Sequence, residues 1–368
     1  MENLYHYTSV GGFEGIIGDN SIRMTKSDFL NDPFDCHLFV TLIKKYIDAH
    51  PNVLLDSISN LETHKMEVDE LYRNKQCDLI HYIEYIQKHI GLYVMSLTKT
   101  NDGMNMWNYY GHGGMELEFS IDDLIDSLRS TFVSEKEFLT EAKVIYANSE
   151  LDVEKISVPD FSEFVLINNE SKNLFDDHRS FIKKNSYYEA DQLYSTSSLD
   201  KFINTYVKGY VASLEYLMKQ GIINVNSTPD TVFDKVFDNI SKLNNFYYWK
   251  HDLSLYMLVL SALIKSDTYE YEDEHRIVYF EYNINSDKKK LEEYSMKNID
   301  SSRFIYPYIT FKKLGLLQSS LRSTTISPVT SNLPISEDTY IETLKKFLVS
   351  KGFDNSLNVR YSKHIIRW

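Results

Sequence analysis

Only two cysteines, Cys36 and Cys77, occur in 368 residues. A secreted scaffold stapled by disulfides needs several pairs, so that class is excluded. Proline (7) and glycine (13) are also sparse, which argues against long linkers and low-complexity tails. Positive charge is the third shortage. Lys and Arg number 39 against 53 Asp and Glu, a formal charge of −14. A protein that coats nucleic acid gains affinity by releasing counterions with Lys and Arg, so this balance speaks against that role and leaves room only for a local basic groove. The strongest basic cluster, Lys288-Lys289-Lys290, reads as a solvated turn. No apolar run is long enough to span a bilayer, and no charged segment leading into an apolar one opens the chain; the expectation is a soluble, cytoplasmic protein. There is no Walker A motif and no HExxH. Gly12, Gly15 and Gly18 follow a strand and enter a helix, but their spacing and the lack of a βαβ series exclude a dinucleotide fold of Rossmann type.

What is present is aromatic and apolar mass. The chain is 43% hydrophobic and 14% aromatic, with 28 Tyr and 20 Phe, ample for a buried core in one large domain or two. Leu4 to Thr8 alternates as a strand with Leu4, His6 and Thr8 on one face and Tyr5 and Tyr7 on the other. Ser9 then caps a short helix whose Phe13, Ile16 and Ile17 share a face. Ile22 to Lys26 is a second strand, and residues from about 39 to 90 are helical in pattern. Strands follow at Tyr93 to Thr98 and Gly114 to Phe119, with a helix started by Ser120 and Asp123. Residues 126–264 read as a long helical insertion, in which Phe202, Tyr206, Tyr210 and Leu214 recur every four positions. Strands return at Arg276 to Tyr282 and Phe304 to Thr310. A helix near Tyr340 to Leu348, stopped at Gly352, and a final strand at Leu357 to Trp368 close the chain. The organisation expected is a core in two parts, 1–125 (with helical segment 40–90) and 265–368, around the insertion.

Four polar islands carry the chemistry. His6 and Thr8 project together and could jointly bind a ribose or phosphate; a core histidine satisfied by a carbonyl is the plainer alternative. Trp107, Tyr109 and Tyr110 lie in a glycine-flanked loop, where aromatics either stack on a planar ring or plug a core. Ser96 is a further hydroxyl. Glu272, Glu274 and Arg276 share one strand face through its period of two. Two such carboxylates cannot both ionise cheaply unless the arginine compensates, and a carboxylate there would stabilise an oxocarbenium-like state; a solvated row of ion pairs is the structural alternative. Asn31, Asp32 and Asp35 form a turn around Pro33. With Cys36 and His37 the turn could suggest a metal site, but no second cluster has ligand spacing, so no metal is expected. A metal-dependent nuclease built on Asp32, Asp35, Glu272 and Glu274 lacks a convincing catalytic lysine.

Together these islands resemble a bacterial family of uncharacterised domains. Its members carry a Tyr-His-Tyr or Tyr-x-Tyr strand (here Leu4 to Ser9), a Phe-x-Asn-Asp-Pro-Phe-Asp/Glu turn (Phe29 to Asp35) and a Phe-Ser strand (Leu97 and its neighbours). A Met-Trp-x-x-Tyr loop (Met106 to Tyr110), a Gly-x-x-x-x-Phe strand (Gly114 to Phe119) and a Glu-x-Glu-x-Arg strand (Glu272 to Arg276) follow. Lys265 and Tyr269 also fit, with Tyr269 where Trp is usual. The matched islands cover about a third of the chain, and the insertion matches nothing in that pattern. The family is in turn distantly similar to ADP-ribosyltransferases, a likeness of fold level.

That resemblance implies an α+β fold with a split, mixed β-sheet holding NAD as substrate in a central cleft. It implies that His6 binds a ribose; the pyrophosphate is then expected by the His6–Ser9 strand, with Thr8 and Ser9, where free N–H groups at the following helix start favour anions. Tyr109 or Tyr110, with Trp107, would flank the nicotinamide, and Glu274 (or Glu272), set by Arg276, would engage the nicotinamide ribose. The expected function is an NAD-dependent ADP-ribosyltransferase, a bacterial toxin or phage-defence effector acting on a protein or nucleic-acid acceptor. The rival is a non-catalytic sensor or adaptor of a defence system that binds a nucleotide, or a partner protein through the helical insertion.

Overall fold

The computed structural model describes residues 2–30, 37–61, 63–75, 78–132, 137–148, 153–158, 198–238, 257–281, 292–299, 302–329 and 335–364. The Asn31-Asp32-Pro33 turn with Asp35 and Cys36 lies outside them, as does Lys288-Lys289-Lys290. The chain divides into two compact units, one of Met1–Asn31, Tyr93–Val144 and Thr268–Trp368, the other of Asp32–Leu92 and Ile145–Asp267.

The first unit is built on a sheet. Its strands are β1 (Asn3–Thr8), β2 (Ser21–Lys26), β3 (Leu92–Thr98), β4 (Met115–Ser120) and β5 (Glu137–Lys143). The second unit supplies β6 (Ile145–Ala147) and β7 (Ile264–Ser266), a parallel pair. The first resumes with β8 (Glu274–Glu281), β9 (Glu293–Ile299), β10 (Ser302–Lys312), β11 (Leu321–Ile326) and β12 (Asn358–Tyr361). Along the main path the order is β12-β11-β4-β1-β3-β2-β10-β9, and β8 joins β3 to β5 off that path. The β11–β12 pair is parallel and the others with a printed register in this sheet are antiparallel. The class is therefore α+β with a mixed sheet, as expected.

The sheet is partly split at β3. That strand meets β2 through Tyr93 and Val94 near its start, and meets β1 through a single registered pair, Tyr5 with Thr98, at its end. Strand β1, by contrast, pairs with β4 along all six of its residues. Apolar alternation explains the faces: Met115, Leu117 and Phe119 of β4 are all buried. Against this sheet unit 1 sets α1 (Val10–Phe13), which runs on into a π-helical turn Glu14–Gly18 and buries Phe13, Ile16 and Ile17 as the sequence pattern requires. The closing helix Glu337–Ser350 is capped by Ser336, whose side chain accepts from the Thr339 N–H, and ends before Gly352, whose φ is +87°.

The second unit is mainly helical. It contains α2 (Leu38–Ala49), α3 (Asn52–Ser59), α4 (Lys65–Arg73) and α5 (Leu79–His89), with helices Leu199–Lys219 and Pro229–Asp238. Phe202, Tyr206, Tyr210 and Leu214 are buried, and the Tyr82 ring stands 5.0 Å from Tyr210 and 5.7 Å from Phe233. Among the described residues no helix is long and apolar enough to cross a membrane.

Three expectations need correction. The helical segment 40–90 packs with 145–267 in the second unit rather than with the N-terminal core. The stretch 126–264 is not helical throughout, because β5 and β6 fall inside it and β5 pairs with β8 from Glu137–Glu281 to Lys143–His275. Residues 104–109 form α6 (Met104–Tyr109), not a loop. Strand β5 carries little local signal, because its apolar run is only Phe138 and Leu139 between polar residues and its partners lie far along the chain.

Candidate functional site

The acidic island straddles two elements. Residues Asp267–Glu272 form a 3-10 turn, Asp273 takes a left-handed φ of +41°, and β8 begins only at Glu274. Glu272 therefore does not share the strand face with Glu274 and Arg276, because the positive φ breaks the period of two between them. Glu274 and Arg276 do share it. Arg276 donates from Nε to Glu274 Oε1 at 2.8 Å and from Nη2 to Oε2 at 3.2 Å. Both are enclosed, at 4% and 1% exposure, and Glu272 at 3%. The solvated-row alternative is thereby excluded.

Glu272 is held from two sides. Its Oε1 accepts from the Tyr110 hydroxyl at 2.5 Å, across 162 residues of sequence. Its backbone carbonyl accepts from Thr98 Oγ1 at 2.5 Å, and the Asp273 carbonyl accepts from the Lys99 N–H. The turn before β8 is thus docked on the end of β3. Burial pushes the Tyr110 phenol well above its ordinary value, and the Glu272 and Glu274 carboxylates push it further. Tyr110 is thus a neutral donor within the electrostatic reach of both carboxylates. On the opposite face of β8, His275 Nδ1 bonds Glu141 Oε1 at 2.5 Å. Asp273 pairs with Lys143 at 2.8 Å, whose hydrogen bond holds its carboxyl below the usual range.

His6 lies where the sheet splits. Its Nδ1 bonds the Ser96 carbonyl of β3 at 2.9 Å. Only Nδ1–H can donate to a carbonyl, so Nε2 of the neutral ring is left as an acceptor. Desolvation pushes this histidine below its ordinary value, opposed by the Ser96 bond, so the neutral ring is the form at pH 7. Thr8 is half-buried and Ser9 exposed. Ser9 caps α1, its Oγ accepting from the Gly12 N–H at 3.1 Å.

The aromatic island divides by burial. Trp107 has no exposed surface, packs edge-on to Tyr7 at 4.9 Å and donates from Nε1 to Asp102 Oδ1 at 2.8 Å. Tyr109 is 67% exposed. Its ring lies 6.5 Å from Tyr110 and 6.0 Å from Tyr271. Tyr109 and Tyr271 thus form an aromatic lip directly beside the Tyr110–Glu272 contact. Thr98 and Tyr271 escaped the sequence reading. Thr98 looked like a strand end, and Tyr271 gains meaning only from its neighbour in space.

Among the described residues no group of three or more His, Cys, Asp and Glu side chains could hold a metal ion.

Residues 106–277 match the family described as "Protein of unknown function (DUF2971)". That stretch contains the Met-Trp segment and the start of β8 but not His6. No curated protein and no solved structure matches the chain.

Proposed function

We propose that the first unit is an NAD-dependent ADP-ribosyltransferase. The observation that carries this reading is the buried group in which Tyr110 holds Glu272 while Arg276 grips Glu274 two residues on. An arginine fork on both oxygens sets a full positive charge against the Glu274 carboxyl inside the protein. An ionised, dry carboxylate is what stabilises positive charge growing on an anomeric carbon. In the reaction, the bond from the ribose C1′ to the nicotinamide nitrogen breaks, and nicotinamide leaves with the electron pair. An acceptor nucleophile then bonds C1′ and gives up its proton.

Glu274 takes the ribose hydroxyl and faces the developing charge, with Glu272 as the other candidate. Tyr109, beside Tyr271, supplies an exposed ring for the nicotinamide. His6 Nε2 offers an acceptor to a ribose hydroxyl, with Thr8 and Ser9 further along toward the pyrophosphate. Trp107 acts from below by fixing α6. The acceptor is a macromolecule, and the biological setting we favour is a bacterial toxin or phage-defence effector.

Purified protein incubated with NAD, with and without cell extract, should release nicotinamide, and Glu274→Gln should abolish release. Release that survives in Glu274→Gln assigns the role to Glu272. No release under either condition refutes the enzyme, and chelator-sensitive nuclease activity would replace it with a different one. A non-catalytic nucleotide- or partner-binding sensor is favoured by one observation: both carboxylates already have protein partners. That reading expects NAD or nucleotide binding without turnover.

A further inference from the structure

Glu116 stands on β4 opposite Tyr7 of β1 and Thr325 of β11, with no exposed surface. Its Oε2 accepts the Asp102 N–H at 2.6 Å, and its Oε1 has no hydrogen-bond partner. Burial pushes this carboxyl above its ordinary range; the Tyr7 hydroxyl, the Asp102 N–H and the Thr325 hydroxyl oppose that shift. An apolar side chain would fill the position at lower cost, so the acceptor itself has a use.

That use lies in the loop it holds. Asp102 has a φ of +51°, a left-handed conformation that Asp tolerates better than most residues. Its Oδ1 accepts from Trp107 Nε1 at 2.8 Å and its Oδ2 from the Lys363 N–H at 2.8 Å. Its carbonyl accepts from His364 Nε2 at 2.5 Å. The Tyr7 hydroxyl donates to the Thr100 carbonyl at 2.9 Å and accepts from the Gly103 N–H at 2.8 Å. Gly103 is the N-cap of α6 and Tyr110 its C-cap, whose N–H donates to the Met106 carbonyl.

We infer that Glu116 is a positioning residue for the Tyr110–Glu272 pair: by holding Asp102 in its left-handed turn it sets where α6 begins, and so where the Tyr110 hydroxyl points. The catalytic part of this inference rests on the ADP-ribosyltransferase reading; the geometric part does not.

A chain carrying 3-fluorotyrosine at position 110 gives one fluorine resonance that reports the hydroxyl's hydrogen bond, and Glu272→Gln defines how far that resonance moves when the bond changes. Glu116→Gln keeps an oxygen for the Asp102 N–H and should leave the resonance in place. Glu116→Leu keeps the volume without the acceptor and should move it at least half-way toward the Glu272→Gln position. In the NAD assay Glu116→Leu should lower kcat about tenfold or more, with KM changed less, and Glu116→Gln should restore the rate. A folded Glu116→Leu protein with the parental resonance overturns the inference. If Glu116→Leu does not fold, Asp102→Gly relieves the positive φ but removes the Trp107 and Lys363 bonds, and an unmoved resonance there overturns it equally. Resonances that move as expected in a protein that never cleaves NAD support the positioning role and refute the enzyme alone.

Discussion

Replacing Arg276 with methionine tests the buried acidic group most directly. Methionine retains part of the apolar stem and removes the guanidinium, leaving Glu274 inside the protein at 4% exposure without its cation. Breaking a buried ion pair by deleting one partner costs ~3–5 kcal/mol. We take the lower end of that range. For a unit of this size ~3 kcal/mol corresponds to a fall in melting temperature of roughly 6–12 °C. The chain has three tryptophans, and replacing Trp249 and Trp368 by phenylalanine leaves buried Trp107 as the reporter of the first unit. Urea titrations followed by its emission give the stability difference.

The pH dependence has a definite sign. Without Arg276, burial disfavours the ionised form of the carboxyl. The deficit is then largest where carboxylates are ionised and shrinks as the medium is acidified through the carboxylate range. Adding Glu274→Gln to Arg276→Met should remove most of the deficit at pH 7. A deficit below ~1 kcal/mol at pH 7 would mean a solvated pair of little worth and would refute the reasoning. So would a deficit that grows on acidification.

Tyr110→Phe keeps the ring and removes the donor to buried Glu272, and thermal melts should show a loss of ~1.5–3 kcal/mol; an unchanged melting point would mean that the contact carries no weight. His6, held neutral in the fold, contributes stability that is present above its unfolded value of 6.5 and is lost as pH falls below that value and through the lower folded one. The parent should therefore lose more stability between pH 7 and 5 than His6→Asn, as read from urea midpoints; equal losses would remove His6 from the account. A Cβ at Gly114 would overlap the Thr8 carbonyl oxygen and the Ser9 backbone, whereas one at Gly113, with φ +67°, meets nothing. Gly114→Ala should cost ~3 kcal/mol and Gly113→Ala about 1 kcal/mol, measured by melts; the reverse order would contradict the close packing of β1 on the residue before β4.

Much of the first unit was legible because its signals are local. The Leu4–Thr8 alternation, the Ser9 cap, the Phe13-Ile16-Ile17 face and the Gly352 stop each depend on residues within a turn of one another. The site was legible as a set of parts. Glu274 and Arg276 are two apart on a strand, so their pairing follows from pleat geometry. Glu272 was misplaced because its face depends on the φ of Asp273, a residue type that takes either sign. Glu116 carries no local signal, since a carboxylate alternating with Met115 and Leu117 is what a half-exposed strand also shows. Its burial depends on β1 and on β11, whose residues lie about two hundred positions away in sequence.

By itself, then, the sequence determined the class of fold, the faces of individual strands and helices, and which side chains could serve a charged or aromatic site. Those follow from periodicity, capping and residue chemistry over a few positions. Only the tertiary structure decided that 40–90 belongs with the second unit, that Trp107 is core while Tyr109 is surface, and that Tyr110 reaches Glu272. Each of these depends on contacts between distant segments, and burial and hydrogen-bond partners are properties of those contacts, not of the residues that make them.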